Sequence, residues 1–350
     1  MLTLKQVSIP VLVRVKHNAL DRMGIYARRQ EFTRVVLLFS QDLQPALLAR
    51  MDAALAGERI EVLQRLPVSD ASFEQAEEVF RRLPATTDAV IGLGGGKALD
   101  VAKYVAFLAR MPYFAVPTSL SNDGFCSPQS SLTMEGRRRS LPSAIPFGVV
   151  LDTEVCLGAP EILWLSGVGD LAAKFTAGVD WKLAFHARGT PVDDFAALLS
   201  DATVFQFIAR PVRDAEGVKL LGTALMLNGI AMALCGSSRP ASGSEHLISH
   251  ALDALSQRPR LHGLQVGVAT YLASLLQRQN SGRVASLFEA TGFWRAIAAD
   301  PFSRSEWLEA ARLAPSLKPG FYTVLSARDC LPEIRELLAT DPLLRACFVD

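Results

Sequence analysis

Over roughly the first 150 residues, short β-branched apolar runs alternate with stretches of helical periodicity, and this alternation constrains the fold more than any other feature of the chain. Arg34–Ser40 (RVVLLFS) reads as a buried strand, 45–56 as a helix, 59–63 as a second strand, and 72–83 as a helix capped by Ser72 with Glu74 in its first turn. Residues 89–93 are a third strand, 98–109 a third helix and 113–117 a fourth strand. Strand and helix in regular alternation imply βαβ units, because parallel neighbours need a crossover; the sheet is then parallel and covered on both faces. Such a sheet takes its ligands beyond the carboxyl ends of its strands.

The second half is written differently. After the basic, turn-like stretch Gly136–Pro142 (GRRRSLP) and one further strand at 147–152, helical periodicity dominates: 160–188, 192–209, 214–236, 244–256, 262–278, 281–293 and 304–313. At 350 residues the chain exceeds the usual size of a single core. We therefore expect an α/β domain over 1–155 and an all-α domain over 156–350. The run Arg137–Arg139 could clamp a phosphate, but a solvated hairpin tip is the commoner meaning of such a run and the reading favoured here.

With 36 basic against 35 acidic residues, the net charge of +1 gives no bulk field for nucleic acid or an anionic membrane, so any charged ligand is held locally. The opening Met1–Gln6 lacks the pattern of a secretory signal, and a cytoplasmic protein is expected. The longest apolar stretch, Leu220–Cys235, is shorter than the ~20 residues of a membrane span, contains Asn228 and follows Lys219; it reads as a buried core helix. Five scattered cysteines without a CxxC pair read as reduced structural thiols.

Three segments carry chemistry. Gly94-Gly95-Gly96-Lys97-Ala98 stands at a strand-to-helix junction, where glycines admit a diphosphate to the backbone and the helix offers unpaired N–H groups and a partial positive charge. Thr118-Ser119-Leu120-Ser121-Asn122-Asp123 follows the fourth strand, one βα unit later, and would face the same crevice. The chain has five histidines, of which His246, His250 and His262 fall close together. His246 and His250 share a helix face, which suits metal ligation, although a satisfied structural histidine is the common alternative; spacing leaves both open. Asp170, within SGVGDLAAK, reads as a helix-start acid, with the alternative role of the anionic ligand that a two-histidine site lacks.

Taken in order, GLGGGKALDVAKY, VPTSLSNDGFCSP, GRRRSLP with PFGVVLD, SGVGDLAAKFTAGVDWKLA, and SGSEHLISHALD with LHGLQVGVA resemble the sn-glycerol-1-phosphate dehydrogenases. These lie within the superfamily of iron-containing alcohol dehydrogenase, glycerol dehydrogenase and dehydroquinate synthase. The resemblance spans roughly residues 10–280. It implies a dehydroquinate synthase-like fold, a Rossmann-like parallel-sheet domain followed by a helical domain, and a metal-dependent, NAD(P)-linked interconversion of dihydroxyacetone phosphate and sn-glycerol 1-phosphate. It further implies that Gly94, Gly95, Gly96, Lys97 and Ala98 cradle the NAD or NADP diphosphate, with Thr118, Ser119, Leu120, Ser121 and Ser127 also touching the cofactor. Asp170, His246 and His262 would hold one divalent ion, zinc first, with nickel or iron as alternatives; Asp123, Asp170 and His250 would contact the substrate. His250 is the candidate for proton relay or hydroxyl orientation. Self-association, as a dimer, is implied as well.

The chain also departs from the superfamily. Leu264 follows His262-Gly263 where the superfamily commonly has Glu, removing one outer carboxylate. The residues that hold a substrate phosphate are unassigned, with Lys174 and Arg137–Arg139 as candidates. Asp42, after the first strand, hints at NAD. The rival readings are a dehydrogenase of another small polyol or specialised metabolite, and a dehydroquinate synthase-like cyclase on the same scaffold.

Overall fold

The computed structural model describes residues Ser8–Asp350; the expectation about the opening Met1–Gln6 lies outside the described residues. The chain packs as two compact units. One runs to Ala159 and takes in Asp214–Ala233; the other comprises Pro160–Arg213 and Leu234–Asp350.

The first unit is built on β1 (Leu12–Lys16), α1 (Met23–Arg28), β2 (Arg34–Ser40), α2 (Pro45–Gly57), β3 (Glu61–Val68), α3 (Phe73–Arg81), β4 (Ala89–Gly94), α4 (Gly96–Ala109) and β5 (Tyr113–Pro117). A hairpin of β6 (Gln129–Met134) and β7 (Arg137–Pro142), then β8 (Gly148–Asp152) and α5 (Thr153–Gly158), complete it. Six strands form one parallel sheet in the order β1-β8-β5-β4-β2-β3. Burial of both faces explains the continuous apolar runs: Val35 and Leu37 of β2 enter the core under α1 and α2, while Val36 and Leu38 enter the core under α3 and α4. Ser72 caps α3 by accepting from the Gln75 N–H, as its sequence position suggested. The basic run lies on β7 of the antiparallel hairpin rather than at its tip, which is Glu135–Gly136, and all three arginines are exposed.

Two strands depart from the sequence reading. β1 was not expected, and β3 runs on to Val68; these are the two outermost strands of the sheet, where half-exposed positions dilute the apolar signal. Helix Ala215–Cys235 was expected in the C-terminal domain but belongs, through Ala233, with the first unit. Its Gly222 lies against Leu120 and Leu151, and its Gly229 backs onto the Cys126 carbonyl, which a side chain there would block. This helix is long and apolar enough to cross a membrane by length and composition, and 56% of that window is buried within the molecule. All five cysteines are free thiols.

In the second unit, α6 (Glu161–Ala172) and α7 (Lys174–Arg188) break the expected helix 160–188 at Ala173, whose N–H bonds to the Asp170 carbonyl in a tightened turn. They are followed by α8 (Asp194–Ile208) and, after the 215–235 helix already described (α9), by α10 (Ser244–Leu255), α11 (His262–Leu276), α12 (Ser281–Thr291) and α13 (Phe293–Ala299). The unit is not purely helical, because Phe302–Ser303 and Phe348–Val349 pair as a two-residue parallel ladder.

Candidate metal centre and nucleotide turn

Asp170 stands in the last turn of α6, which corrects its reading as a helix-start acid. A carboxylate there opposes the helix dipole and, at 1% exposure, has little water around it, so its charge needs positive partners. Two imidazoles supply them: His246 Nε2 lies 3.5 Å and His262 Nε2 3.6 Å from Asp170 Oδ1. One ligand atom from each of the three residues falls within 4.8 Å of the others.

Backbone contact makes this convergence possible. A methyl on Gly169 would overlap the Gly263 carbonyl, and one on Gly263 would overlap the Ser166 carbonyl, so α6 and α11 touch main chain to main chain at the residues beside Asp170 and His262. The Gly263 N–H also donates to Ser166 Oγ at 3.2 Å. Residues far apart in sequence are thereby placed side by side.

Both rings are held from behind. His246 Nδ1 is 3.0 Å from Glu245 Oε1, and His262 Nδ1 is 3.2 Å from Ser249 Oγ, itself bonded by Gln265 Nε2 at 3.0 Å. Each Nε2 therefore faces Asp170. Burial pushes the Asp170 carboxyl up, but the His246 hydrogen bond and the His262 charge outweigh it and hold it at about 2. Burial likewise pushes His246 down, and its bonds to Asp170 and Glu245 reverse that to about 9. Both shifts have one meaning: the site stabilises positive charge at its centre, whether a proton or a divalent ion. Two ring nitrogens and a carboxylate are also the donor set of many catalytic zinc sites, so the residues fit the group.

His250 is exposed; its ring stacks on that of His262 at 5.8 Å and lies tilted 6.3 Å from that of His246. It stays outside the three-residue cluster, although spacing alone had paired it with His246. Lys174 is buried with Nζ 3.3 Å from the Ala241 carbonyl.

In the first unit, Gly94 has φ +139°, a conformation side chains rarely adopt, and a Cβ there would meet Ser40 Oγ. Gly95 donates to Ser40 Oγ at 3.0 Å, and Gly96 opens α4. No atom would obstruct a Cβ on Gly95 or Gly96, so their backbone lies bare beside a cavity of about 620 Å³ lined by Ser40, Asp42, Ser69 and Lys97 among others. This turn joins the carboxyl ends of β2 and β4, where the strand order reverses direction.

Ala98 is buried in α4, and Thr118, Ser119 and Ser121 line the half-exposed loop after β5, where the Thr118 N–H donates to the Gly94 carbonyl at 3.0 Å. The Leu120 side chain turns into the core, which leaves its backbone for any ligand, and Ser127 is buried with Oγ 2.9 Å from the Gln129 carbonyl. Asp123 opens a short 3-10 turn capped by Asn122 Oδ1. Sequence reading passed over Lys103, which is buried, pairs with Asp100 at 3.2 Å and donates to the Gly124 carbonyl at 2.6 Å, tying α4 to this loop. It also passed over Glu245, Ser249 and Gln265; the only sequence signal for Glu245 was its adjacency to His246.

The glycerol-1-phosphate dehydrogenase [NAD(P)+] of Aeropyrum pernix is 35% identical over 343 residues, covering 95% of this chain and 97% of that protein. The chain belongs to the glycerol-1-phosphate dehydrogenase family. The Methanosarcina barkeri protein of that name is 30% identical, with 92% of each chain covered. The model of the family described as iron-containing alcohol dehydrogenase matches residues 14–160, nearly the whole α/β sheet. Among solved structures, glycerol dehydrogenase from Schizosaccharomyces pombe superposes with a TM-score of 0.77 at 18% identity, covering 98% of this chain and 91% of that one, a likeness of fold. As a member of the glycerol-1-phosphate dehydrogenase family, the protein is an oxidoreductase acting on a small molecule.

Proposed function

We propose that the protein interconverts dihydroxyacetone phosphate and sn-glycerol 1-phosphate by metal-dependent hydride transfer to or from NAD(P). The carrying observation is the convergence of His246 and His262 Nε2 on Asp170, with both Nδ1 atoms already engaged, in a chain 35% identical to a glycerol-1-phosphate dehydrogenase. A divalent ion held by these three side chains would act as a Lewis acid toward the substrate oxygen.

The remaining roles fall to the chain itself. Asp170 also limits where the substrate oxygen sits, Asp123 contacts the substrate, and the exposed His250 ring orients the hydroxyl and carries its proton. Gly94, Gly95 and Gly96 with Lys97 and Ala98 receive the diphosphate at the amino end of α4, with Thr118, Ser119, Leu120, Ser121 and Ser127 beside the nucleotide. Asp42 lines the cavity next to Gly95 and favours NAD over NADP, because a carboxylate accepts from a ribose hydroxyl and repels a 2′-phosphate. Zinc is the proposed ion, with nickel and iron as the alternatives. We read α9 as a core helix, and the protein as a cytoplasmic homodimer.

The test follows NADH and NADPH oxidation with dihydroxyacetone phosphate, using metal-replete and chelator-stripped protein. Turnover that depends on restored metal is expected. No turnover by metal-loaded protein overturns the substrate, and turnover indifferent to complete metal loss overturns the mechanism.

A further inference from the structure

Glu245 is the second residue of α10 and is fully buried, at 0% exposure. An acid at that place usually answers the unpaired N–H groups of the helix start. Part of its bonding fits that role, since Oε1 accepts from the Gly243 N–H. Two further bonds do not. Oε2 accepts from Thr176 Oγ1 of α7 at 2.7 Å, and Oε1 also lies 3.0 Å from His246 Nδ1. The carboxylate is thus fixed by donors from three directions, with one oxygen aimed at the back of the ring.

The helix start has another carboxylate for capping. Asp180 of α7, also buried, accepts from Ser244 N at 2.7 Å, Ser244 Oγ at 2.6 Å and Val324 N at 2.8 Å. The first turn of α10 is pinned by Asp180, which frees Glu245 for the imidazole. The two rings differ in support: His262 has a neutral hydroxyl, Ser249 Oγ, behind its Nδ1, and Leu264 occupies the position next to Gly263.

Resting on the metal centre proposed above, we infer that Glu245 is the positioning residue for that centre: it accepts a hydrogen bond from the Nδ1–H of His246, fixes the ring's tautomer and plane, and makes His246 the stronger of the two nitrogen donors. A carboxylate behind a ligating imidazole raises its basicity, and losing such a partner typically costs 10- to 100-fold in metal affinity.

Cobalt(II) is the probe, with affinity read by chelator competition and coordination by its visible absorption. Glu245→Gln keeps an acceptor for Nδ1–H and removes the charge; Glu245→Ala removes both. The dissociation constant is expected to rise on the order of tenfold for Gln and toward a hundredfold for Ala. The cobalt bands should shift in the Ala variant and return toward wild type in Gln. Val204→Ala, a core truncation in α8, should lower Tm and leave cobalt affinity unchanged. If Glu245→Ala does not fold, the Gln variant decides alone. Wild-type affinity in the Gln variant, or an equal loss in Val204→Ala, overturns the inference while the metal centre stands; a wild-type protein that takes up no cobalt overturns the centre and the inference together.

Discussion

The N–H of Gly263, at the start of α11, donates to the hydroxyl of Ser166 on α6 at 3.2 Å. It belongs to the close main-chain approach, through Gly169 and Gly263, of the two helices that carry Asp170 and His262. Gly263→Ala would drive a methyl into the Ser166 carbonyl. We expect it to destabilise the protein by roughly 1–3 kcal/mol and to move His262 off Asp170. Thermal unfolding and metal content measure both; a variant that folds and retains metal as the wild type does would show that the contact is not what sets the site.

His246 and His250 should separate by phenotype. His246→Ala is expected to lose metal and activity together. His250→Ala should keep its metal while kcat falls by on the order of 10²-fold or more, the scale of a lost proton-transfer group. Metal analysis beside steady-state kinetics tells them apart, and metal loss in the His250 variant would reverse the assignment.

The glycine turn makes a prediction about nucleotide. Gly94→Ala would place a methyl on a backbone at φ +139° and against Ser40 Oγ, the acceptor for the Gly95 N–H. The strain is roughly 1–3 kcal/mol. Weaker NAD(H) binding with unchanged metal content is expected, by calorimetric titration and metal analysis. Wild-type nucleotide affinity would remove the turn from the binding site.

A pH effect on stability should come from Asp88. Burial raises this carboxyl, but the backbone N–H groups of Thr33 and Arg34, each at 2.9 Å, together with the Arg34 guanidinium and the Thr33 hydroxyl, outweigh that and bring it to about 2 from 3.8. A lowered folded-state pKa contributes stability that is fully present above 3.8 and disappears as pH falls through about 2. The side chain is 22% exposed, and after allowance for screening the contribution is about 1–2 kcal/mol. Asp88→Asn should be less stable than wild type by that amount at pH 6, with the gap closing below pH 4, as urea unfolding across pH would show. A gap that persists at pH 2 would place the effect outside this carboxylate.

How much of this was legible follows from where each residue lies. β2 and β5 were readable to the residue, because strand positions buried on both faces must be apolar, as Val35–Leu38 and the whole of β5 are. The outermost strands β1 and β3 were missed or shortened, since half-exposed positions tolerate Arg14, Lys16, Gln64 and Arg65. The histidine text gave three candidates of equal standing. Local spacing favoured the pair His246 and His250, whereas the structure joins His246 to His262 through Asp170. Glu245 was visible as a letter beside His246, but its meaning depends on which way Nδ1 points, and that is settled by Thr176 and Gly243.

By itself, the sequence determined the parallel sheet, the glycine turn at a strand end, the helical character of most of the second half and the family resemblance; these follow from periodicity and from ordered local motifs, which are properties of neighbouring residues. Only the tertiary structure decided that the 215–233 stretch packs with the first unit and that Asp170 closes a helix rather than opening one; its meeting with His246 and His262 was implied by the family resemblance, and the structure gave it its geometry. Those outcomes depend on helix-to-helix approach, set here by Gly169 and Gly263 lying backbone to backbone. No local pattern encodes such an approach, because its energy arises between segments distant along the chain.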